Sequence, residues 1–453
     1  MATHRRNQFA VVSPQSWALD GALLFGSLLL VVVAHLVGNA IDASGTAILL
    51  PFPPIFATWA PHVGPGTVPA VLCLVAAVRL QQRAATMTWP RLLAAGWLIG
   101  LAWIMSLASV DGDWWTKMLS PHEYLHDLPR IADPWEFLRT FSGRIVGVPD
   151  AWTTHVSAHP PLATLVFWTL AWVGLGGGWW AGLACMIAGS LAGPAAAVTL
   201  RALGAEVSAR RLVPWVAVFP GAVWMGVSGD ALFAGVTLVG VAAAVWGAVH
   251  ARVGVSLVGG LLLGAILYLS YGHVLYGLVV MTAMVLSSVH RGWRHVHRGW
   301  LATGLGAGGV VVFFTAAGFA WWQGLSQVRL RYEEGIASSR PYSYFVWANL
   351  AAAIVCASPL VVVMSRWAIT RVAGRTRGQA EAAPAWLALA ALGVIVLADL
   401  SGLSKAETER IWLTFTLTLY CAASLAPPPW PRWGLVGAAG WALAVNHLLL
   451  TEW

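Results

Sequence analysis

The sequence predicts an all-α protein that crosses a lipid bilayer many times, and two features lead to this prediction. Hydrophobic residues make up 58% of the 453 residues, and charged residues only 10%. The apolar residues form long runs, and a helix of about 20 such residues satisfies its own backbone polar groups across a bilayer. Because the longest polar segment is 111–160, we expect residues 1–453 to form a single transmembrane domain without a separate soluble domain.

Fourteen apolar runs follow one another along the chain, and about thirteen of them are expected to cross the membrane. The first run follows a short basic start at His4, Arg5 and Arg6. It is long enough to remain as a span, so we expect no cleaved signal peptide. The runs cover residues 18–40, 67–86, 92–110, 159–175, 178–200, 212–227, 231–250, 254–271, 274–289, 300–322, 344–365, 385–400, 411–426 and 433–450.

Arginine clusters between the runs predict which ends of the spans face the cytoplasm, because loops on that side are enriched in basic residues. Only three acidic residues, Asp20, Glu206 and Glu381, fall on the side assigned in this way. We therefore expect a multi-pass protein of the plasma membrane with segment 111–160 on the extracytoplasmic face. The clusters are Arg5/Arg6, Arg79/Arg83/Arg91, Arg201/Arg210/Arg211, Arg252, Arg291/Arg294/Arg298, Arg366/Arg371/Arg375/Arg377 and Arg432.

The run 159–175 does not fit this alternation as a complete crossing. Segment 111–160 and the turn 174–178 are both expected outside, so the run between them must begin and end on the same face. We therefore expect a re-entrant or surface-lying helix, or a piece of the preceding loop that dips into the membrane. Pro160 and Pro161 suit a helix that begins at the interface, because proline is favoured in a first turn.

Charge and cysteine content narrow the possible functions. The formal net charge is +8, but the arginines that produce it mark membrane topology and do not predict nucleic-acid binding. The four cysteines (Cys73, Cys185, Cys356 and Cys421) lie in apolar runs and are expected to be small core residues. Their spacing predicts neither a disulfide framework nor a metal site.

Segment 111–160 concentrates the polar chemistry of the chain. It contains seven carboxylates, four basic residues and four histidines. Asp111 and Asp113 end the preceding apolar run, next to Trp114 and Trp115. A carboxylate held against aromatic rings at a membrane surface can act as a base. A solvated helix end with interfacial tryptophans would produce the same pattern.

His155 and His159 flank the start of the next apolar run and share one face if that stretch is helical. They could bind phosphate, orient a hydroxyl group, or join an aspartate at a metal ion. Two ligands at this spacing are a weak indication of a metal, and we expect none.

Four further segments are assigned to the same outer face. Asp230 follows Ser228 and Gly229 in a tight turn, where it could cap a helix or bind a hydroxyl group. Tyr271 and His273 lie between two spans. The remaining segments, 323–345 and 399–410, are rich in charged residues.

Two groups of basic residues in these segments could bind phosphate. Arg410 enters a span, and an arginine near the hydrocarbon is costly unless it is paired, for example with Glu407. Alternatively, Arg410 and Lys405 clamp a phosphate at the membrane surface, because a guanidinium fork matches phosphate oxygens. Arg329 and Arg331 could add to this clamp or remain solvated loop charges.

This layout resembles the GT-C superfamily of membrane glycosyltransferases. The resemblance rests on the early acidic outer loop with Asp111 and Asp113, on His159-Pro160-Pro161-Leu162 opening the next helix, on Asp230 at the outer end of a span, and on the stretch 405–412, which is similar to a late outer-loop element of actinobacterial cell-envelope members. It covers the chain from about residue 92. The chain departs from the family in two spans that precede the one leading into the acidic loop, and we expect no C-terminal carbohydrate-binding domain.

The resemblance implies an inverting transfer of a sugar from a polyprenyl-phosphate donor to a glycan or glycolipid acceptor of the cell envelope. Mannose and arabinofuranose are both candidate sugars. Asp111 or Asp113 would remove the acceptor proton, and no cofactor or metal is expected. Arg410, Lys405, Arg329 and Arg331 are the candidate ligands of the donor phosphate. The candidate sugar or acceptor ligands are His155, His159, Asp230, Trp114, Trp115, Tyr271, His273 and Glu407.

Two other functions fit a polytopic membrane protein. A transporter or flippase of a lipid-linked saccharide would place polar residues along a path through the spans, whereas this chain gathers them on one face. An assembly scaffold with a structured outer loop is the other possibility.

Overall fold

Helices account for nearly all regular structure in the computed structural model, which describes residues 14–46, 48–374 and 379–452. Among the predicted cytoplasmic residues, His4, Arg5, Arg6, Arg375 and Arg377 lie outside these ranges. The α-helices are α1 (Pro14–Ala43), α2 (Thr67–Arg83), α3 (Trp89–Ala108), α4 (Pro134–Thr140), α5 (Thr154–Ala158), α6 (Pro161–Trp172), α7 (Gly178–Ala202), α8 (Glu206–Ala217), α9 (Gly229–Val249), α10 (Val253–Leu269), α11 (Gly277–Arg291), α12 (Trp293–Ala316), α13 (Trp321–Glu334), α14 (Ile336–Ser339), α15 (Tyr342–Ala357), α16 (Leu360–Ala373), α17 (Ala383–Leu400), α18 (Thr408–Ile411), α19 (Leu413–Leu419) and α20 (Trp430–Leu448).

Short 3₁₀ helices and one small sheet complete the fold. The 3₁₀ helices cover Trp114–Leu119, Tyr124–Arg130, Phe141–Arg144, Pro220–Trp224, Tyr271–Tyr276, Gln379–Ala382 and Tyr420–Leu425. Strands β1 (Ala57–Trp59) and β2 (Leu449–Thr451) pair antiparallel, with Ala57 opposite Thr451 and Trp59 opposite Leu449. The pair fastens the segment after α20 to the connection between α1 and α2.

Seven described helices are long and apolar enough to cross a membrane, and the all-α membrane character of the chain follows from them. They are Ser16–Ala43, Trp89–Ala108, Gly178–Ala202, Gly229–Val249, Tyr271–Arg291, Trp293–Ala316 and Ala383–Leu400. Helices α15 and α16 bend by 96° at their junction and form an eighth span if they are taken together. The candidate spans expose large apolar side chains, as lipid-facing helices do, for example Phe25 of α1 and Leu305 and Val312 of α12.

Several of the predicted apolar runs form shorter helices. Pro161–Trp172, Val253–Leu269 and Leu413–Leu425 have between 10 and 17 residues. A 12-residue helix is only about 18 Å long, less than the roughly 30 Å of bilayer hydrocarbon. The helix Pro161–Trp172 is therefore too short to cross alone, and its re-entrant or surface placement remains a prediction, as do the further spans.

The ion pairs agree with the two faces that the arginine clusters predict. Eleven ion pairs connect described residues, and in each of them both partners were assigned to the same face. All three acids of the predicted cytoplasmic face are paired there: Asp20 with Arg366, Glu206 with Arg201 and Arg210, and Glu381 with Arg371. The charged loops therefore form two separate groups, one at each end of the helices.

Glycines let the central helices approach closely. A Cβ atom on Gly235 of α9 would overlap the backbone carbonyl of Ala188 on α7. Gly260 of α10 meets the carbonyl of Thr303 on α12 in the same way. Because backbone faces backbone at these points, small residues are required for the packing.

Three helical segments are interrupted in the interior and meet there. The breaks fall at Phe219 between α8 and the next 3₁₀ turn, at Ser358 between α15 and α16, and at Tyr420 after α19. The Tyr420 hydroxyl donates to the Ala357 carbonyl at 2.6 Å, and the ring of Tyr420 lies 5.0 Å from that of Phe219. The Trp103 indole donates to the Phe219 carbonyl at 3.0 Å. Side chains and neighbouring turns thus satisfy backbone groups that the helix breaks release.

Candidate functional site

A buried group of charged side chains surrounds Arg410 at the predicted outer end of the bundle. The Arg410 Nη1 donates to Asp230 Oδ2 at 2.6 Å, and its Nη2 donates to Glu407 Oε2 at 2.7 Å and to His155 Nε2 at 3.2 Å. His155 Nδ1 in turn lies 2.8 Å from Glu123 Oε1. We refer to these five residues as the Arg410 cluster. It joins the early loop, the start of α9 and the late loop before α18.

Local backbone geometry positions the members of the cluster. Ser228 caps α9: its hydroxyl accepts from the Asp230 backbone N–H and also contacts Asp230 Oδ2, both at 3.1 Å. This holds the carboxylate in the first helical turn, where the helix dipole favours a negative charge. Glu407 has φ of 59°, a left-handed conformation that is costly for a residue with a Cβ. That conformation begins α18, so that Glu407 and Arg410 pair across one turn.

Most of the cluster is removed from solvent. The side chains of Asp230, Glu123 and Arg410 are 4%, 6% and 7% exposed, whereas His155 and Glu407 are 13% and 24% exposed and form its open rim. Burial would lower the pKa of Arg410, but Asp230 and Glu407 raise it above its usual range. Burial would raise the pKa of Glu407, but Arg410 and His155 lower it below its ordinary value. The pairing keeps these groups ionised.

Two further histidines and a tyrosine pack beside the cluster. Burial lowers the pKa of His159 to about 4, so its imidazole is neutral at physiological pH. Its Nδ1 lies 3.2 Å from the Leu269 carbonyl. His273 Nε2 lies 2.9 Å from the Thr414 hydroxyl. The Tyr124 ring contacts both His155 and His159, with centroids 6.0 and 5.9 Å apart.

Among the described residues, several buried polar atoms around this cluster have no protein partner. They include Glu123 Oε2, Glu409 Oε2 and His273 Nδ1. An unpaired buried polar atom costs free energy unless water or a ligand satisfies it. The Arg410 cluster therefore has unused hydrogen-bonding capacity for a polar ligand.

Glu409 is fully buried next to Arg410 and connects the cluster to the segment after α1. Its Oε1 accepts a hydrogen bond from the Phe56 backbone N–H at 2.9 Å. Burial raises the pKa of Glu409 from 4.5 to about 7, against the opposing effect of the Phe56 hydrogen bond. The connection between α1 and α2 thus contacts the site through the Phe56 backbone N–H.

We expect Glu409→Gln to flatten the dependence of stability on pH. The folded state binds a proton that the unfolded state releases between the pKa of 4.5 and that of about 7. The stability due to this proton is complete below the lower value and is lost as the pH rises through the higher one. Glutamine mimics the protonated form, so the variant should match wild type near pH 4.5 and unfold at higher temperature than wild type near pH 8.

Thermal unfolding in detergent at several pH values tests this expectation. The exposed Glu334→Gln is the matched control and should follow the wild-type curve. Equal pH slopes for wild type and Glu409→Gln would contradict the expectation.

Asp111 belongs to a separate polar group. Its Oδ1 lies 2.8 Å from His62 Nε2, and its Oδ2 accepts from Lys117 Nζ at 2.6 Å. Lys117 also donates to the Thr451 carbonyl of β2 at 2.9 Å. Both carboxylate oxygens of Asp111 are therefore in contact with other side chains: Oδ1 with His62, which follows β1, and Oδ2 with Lys117, which also binds β2. The neighbouring Asp113 is exposed.

The Asp111 group and the Arg410 cluster occupy the same end of the bundle. Ala108, shortly before Asp111, packs so tightly on Gly226 that a Cβ there would lie 2.7 Å from the Ala108 Cβ. Gly226 lies four residues before Asp230. The chain segments that carry the two polar groups therefore pack together at this point, but the hydrogen bonds and ion pairs described above do not join the two groups.

The predicted phosphate ligands are dispersed. Only Arg410 lies within the cluster. Lys405 Nζ donates to the Ala337 carbonyl at 3.0 Å, and Arg331 Nη1 donates to the Ile145 carbonyl at 2.6 Å. Arg329 is exposed on α13. Their assignment as phosphate ligands remains a prediction.

The predicted aromatic contacts also differ in their surroundings. Trp114 is only 4% exposed and packs against Trp115 and Trp179, with centroids 5.6 and 4.8 Å away. Trp115 is half-buried. The buried Tyr271 lies 5.5 Å from the Trp321 ring. In this arrangement Trp114 stabilises the loop and presents little surface to a sugar.

Sequence reasoning missed Glu123, Tyr124, Glu409, His62 and the segment 44–66. A signal for the segment 44–66 was available, because it lies between two apolar runs whose other ends carry arginine clusters assigned to the cytoplasm. The contacts of Glu123 and Glu409 had no local signature, since each acid looks like one loop charge among several.

The described residues contain no group of three or more His, Cys, Asp or Glu side chains arranged to hold a metal ion. Comparison with protein-family models, with curated proteins and with solved structures found no match.

Proposed function

We propose that the protein is an inverting glycosyltransferase that moves a sugar from a polyprenyl-phosphate donor to a cell-envelope glycan or glycolipid on the extracytoplasmic face. The observation that carries this proposal is the Arg410 cluster. It combines a guanidinium, three carboxylates and a histidine at one end of a membrane-spanning bundle. Buried charge of this kind is expensive in a membrane protein and is usually retained for function.

The chemistry of the donor matches this setting. A polyprenyl chain stays in the bilayer, so its phosphate lies at the membrane surface, near the depth at which Arg410 enters the bundle. Arginine binds phosphate oxygens in a planar, bidentate manner. In the transfer, the acceptor oxygen bonds to the anomeric carbon as the bond from that carbon to the phosphate oxygen breaks. Arg410 would stabilise the charge that grows on the leaving phosphate.

The unpaired atoms beside the cluster suit the sugar. Glu123 Oε2, Glu409 Oε2 and His273 Nδ1 can exchange hydrogen bonds with hydroxyl groups. Asp111 and Asp113 remain the base predicted from sequence. For Asp111 to accept a proton, it would first have to give up a contact with His62 or Lys117.

A transfer assay with purified protein tests the proposal. Protein in lipid nanodiscs would be incubated with polyprenyl-phosphate mannose or polyprenyl-phosphate arabinofuranose, labelled in the sugar, and with an actinobacterial envelope extract as acceptor. We expect labelled glycan, free polyprenyl phosphate and an inverted anomeric centre in the product. We expect Arg410→Lys to lower the transfer rate by about 100-fold, because an ammonium cannot replace the guanidinium fork. The exposed Arg294→Lys at the opposite end should leave the rate unchanged.

Transport of a lipid-linked saccharide is the second candidate function, favoured by the interrupted helices. Breaks at Phe219, Ser358 and Tyr420 meet inside the bundle. Discontinuous helices of this kind form substrate sites in many transporters. Hydroxyl groups of α19 extend polar contacts inward from Arg410, as in the 2.7 Å contact between Thr418 and Tyr276.

The same labelled donors distinguish the two functions. In proteoliposomes, a transporter moves intact donor between leaflets and releases no polyprenyl phosphate. Leaflet exchange of intact donor, with no cleavage in any acceptor mixture, would exclude the transferase proposal in favour of transport.

A further inference from the structure

The Glu123–His155 pair is the part of the Arg410 cluster whose acid–base chemistry the proposed transfer has not yet used. The 2.8 Å contact joins Glu123 Oε1 to His155 Nδ1, and the side chains are 6% and 13% exposed. The His155 backbone N–H also donates to the His122 carbonyl at 3.1 Å. Backbone and side chain together hold the imidazole ring in one orientation.

Arg410 determines which nitrogen of His155 carries the proton. A guanidinium only donates hydrogen bonds. Because Arg410 Nη2 lies 3.2 Å from His155 Nε2, Nε2 must accept with its lone pair. The proton is therefore on Nδ1 and is donated to Glu123. This tautomer, with a carboxylate behind Nδ1 and the lone pair on Nε2, is the one that a histidine base needs.

The contact that covers Nε2 is the longest of the three Arg410 contacts described above. The other two acceptors, Asp230 and Glu407, are carboxylates at 2.6 and 2.7 Å. Hydrogen bonds between ionised partners are shorter and stronger than those to a neutral ring nitrogen. An incoming phosphate that competes for Arg410 Nη2 would therefore displace His155 before it displaces either carboxylate.

We propose that His155, oriented by Glu123, accepts the proton of the acceptor hydroxyl once the donor phosphate has taken its place on Arg410. This inference rests on the glycosyl transfer proposed above. The proton passes from the acceptor oxygen to Nε2, and that oxygen forms the bond to the anomeric carbon. The electron pair of the breaking bond leaves with the polyprenyl phosphate. Glu123 balances the positive charge on the ring, and Arg410 balances the charge on the phosphate.

Other groups near the cluster are less suited to this step. Asp230 and Glu407 are bound to the cation that must face the phosphate. His159 is deeper, with its Nδ1 at the Leu269 carbonyl. His155 lies on the rim of the cluster, where an acceptor hydroxyl can approach. Donor binding would thus free the base only when a sugar is present to transfer.

The pH dependence of transfer gives a readout that a purely structural role would not affect. The titratable and charged groups around His155 are Glu123, Tyr124, His159, Glu407 and Arg410. Transfer by wild type and by Glu123→Gln should be measured over the same pH range. If Glu123 positions the base, Glu123→Gln should change the shape of the pH–rate profile as well as decrease the rate.

The test uses the nanodisc transfer assay with the two labelled polyprenyl-phosphate donors. We expect His155→Gln to lower kcat by about 100-fold or more, the range for loss of a general base, with donor KM changed less than threefold. The exposed His126→Gln in the same loop is the matched control. Imidazole added to His155→Ala should restore part of the rate, because a small base can enter the space left by the ring.

The outcomes separate the two proposals. If wild type transfers sugar and His155→Gln or His155→Ala keeps more than a third of kcat, the base assignment is overturned and the transferase stands. Loss of transfer in Asp111→Asn/Asp113→Asn with retention in His155→Gln would return the base to the aspartates. Absence of transfer by wild type with both donors would reject the proposed function itself.

Discussion

Replacement of Arg410 by methionine should cause one of the largest losses of stability available in this chain. Arg410 is 7% exposed and is the shared partner of Asp230 and Glu407. Removal of one partner from a buried ion pair costs about 3–5 kcal/mol, because the remaining charge is left without compensation. We expect thermal unfolding in detergent to shift accordingly, with sugar transfer lost at the same time.

The control and the rescue variant identify the cause. The exposed Arg294→Met should change the free energy of unfolding by no more than about 0.5 kcal/mol. Adding Asp230→Asn to Arg410→Met should restore part of the lost stability, because it neutralises an orphaned carboxylate. Such non-additivity is expected for residues in one network. An Arg410→Met protein as stable as wild type would show that solvent reaches the cluster freely.

The second large effect is expected from Gly235→Ala. A methyl group at this position would overlap the Ala188 carbonyl, which is backbone of α7 and cannot rotate away. Overpacking of a tight interface typically costs about 1–3 kcal/mol, and here helices α7 and α9 must separate to relieve it. Because Asp230 lies in the first turn of α9, the same shift should displace a member of the Arg410 cluster and reduce activity.

Gly308→Ala provides a matched comparison. Gly308 also lies within a long helix, α12, but a Cβ there would have no atom within 4 Å. Alanine is favoured over glycine in a helix interior by about 1 kcal/mol, so this variant should be as stable as wild type or slightly more stable. The test compares the unfolding temperatures of purified Gly235→Ala and Gly308→Ala. Equal temperatures would mean that helices α7 and α9 leave room for a methyl group at position 235.

The helical membrane character could be predicted because it depends on local composition. Runs of apolar residues must form helices in a bilayer whatever their neighbours are. The two charged ends could be predicted for a similar reason, and Asp20, Glu206 and Glu381 all pair with arginines of their own group. Helix lengths were predicted less well, because apolar residues continue through the breaks at Phe219, Ser358 and Tyr420. Pro220 and Pro359, which directly follow two of these breaks, are the local signal that hydropathy alone does not use.

Some contacts within the candidate site could also be predicted from sequence spacing, and others could not. The pair of Glu407 and Arg410 spans one helical turn, and sequence spacing suggested it. His62 and Lys117 as partners of Asp111 depend on where the segment 44–66 and β2 lie, which spacing does not encode.

By itself the sequence determined that this is a helical membrane protein whose charges divide between two groups of loops, one of which carries most of the acids together with histidines and arginines. Only the tertiary structure decided that Arg410 meets Asp230 and His155, which are 180 and 255 residues away along the chain. The physical reason is that hydropathy and charge act residue by residue, whereas the partner of a buried charge is chosen by helix packing, which aligns segments from distant parts of the chain.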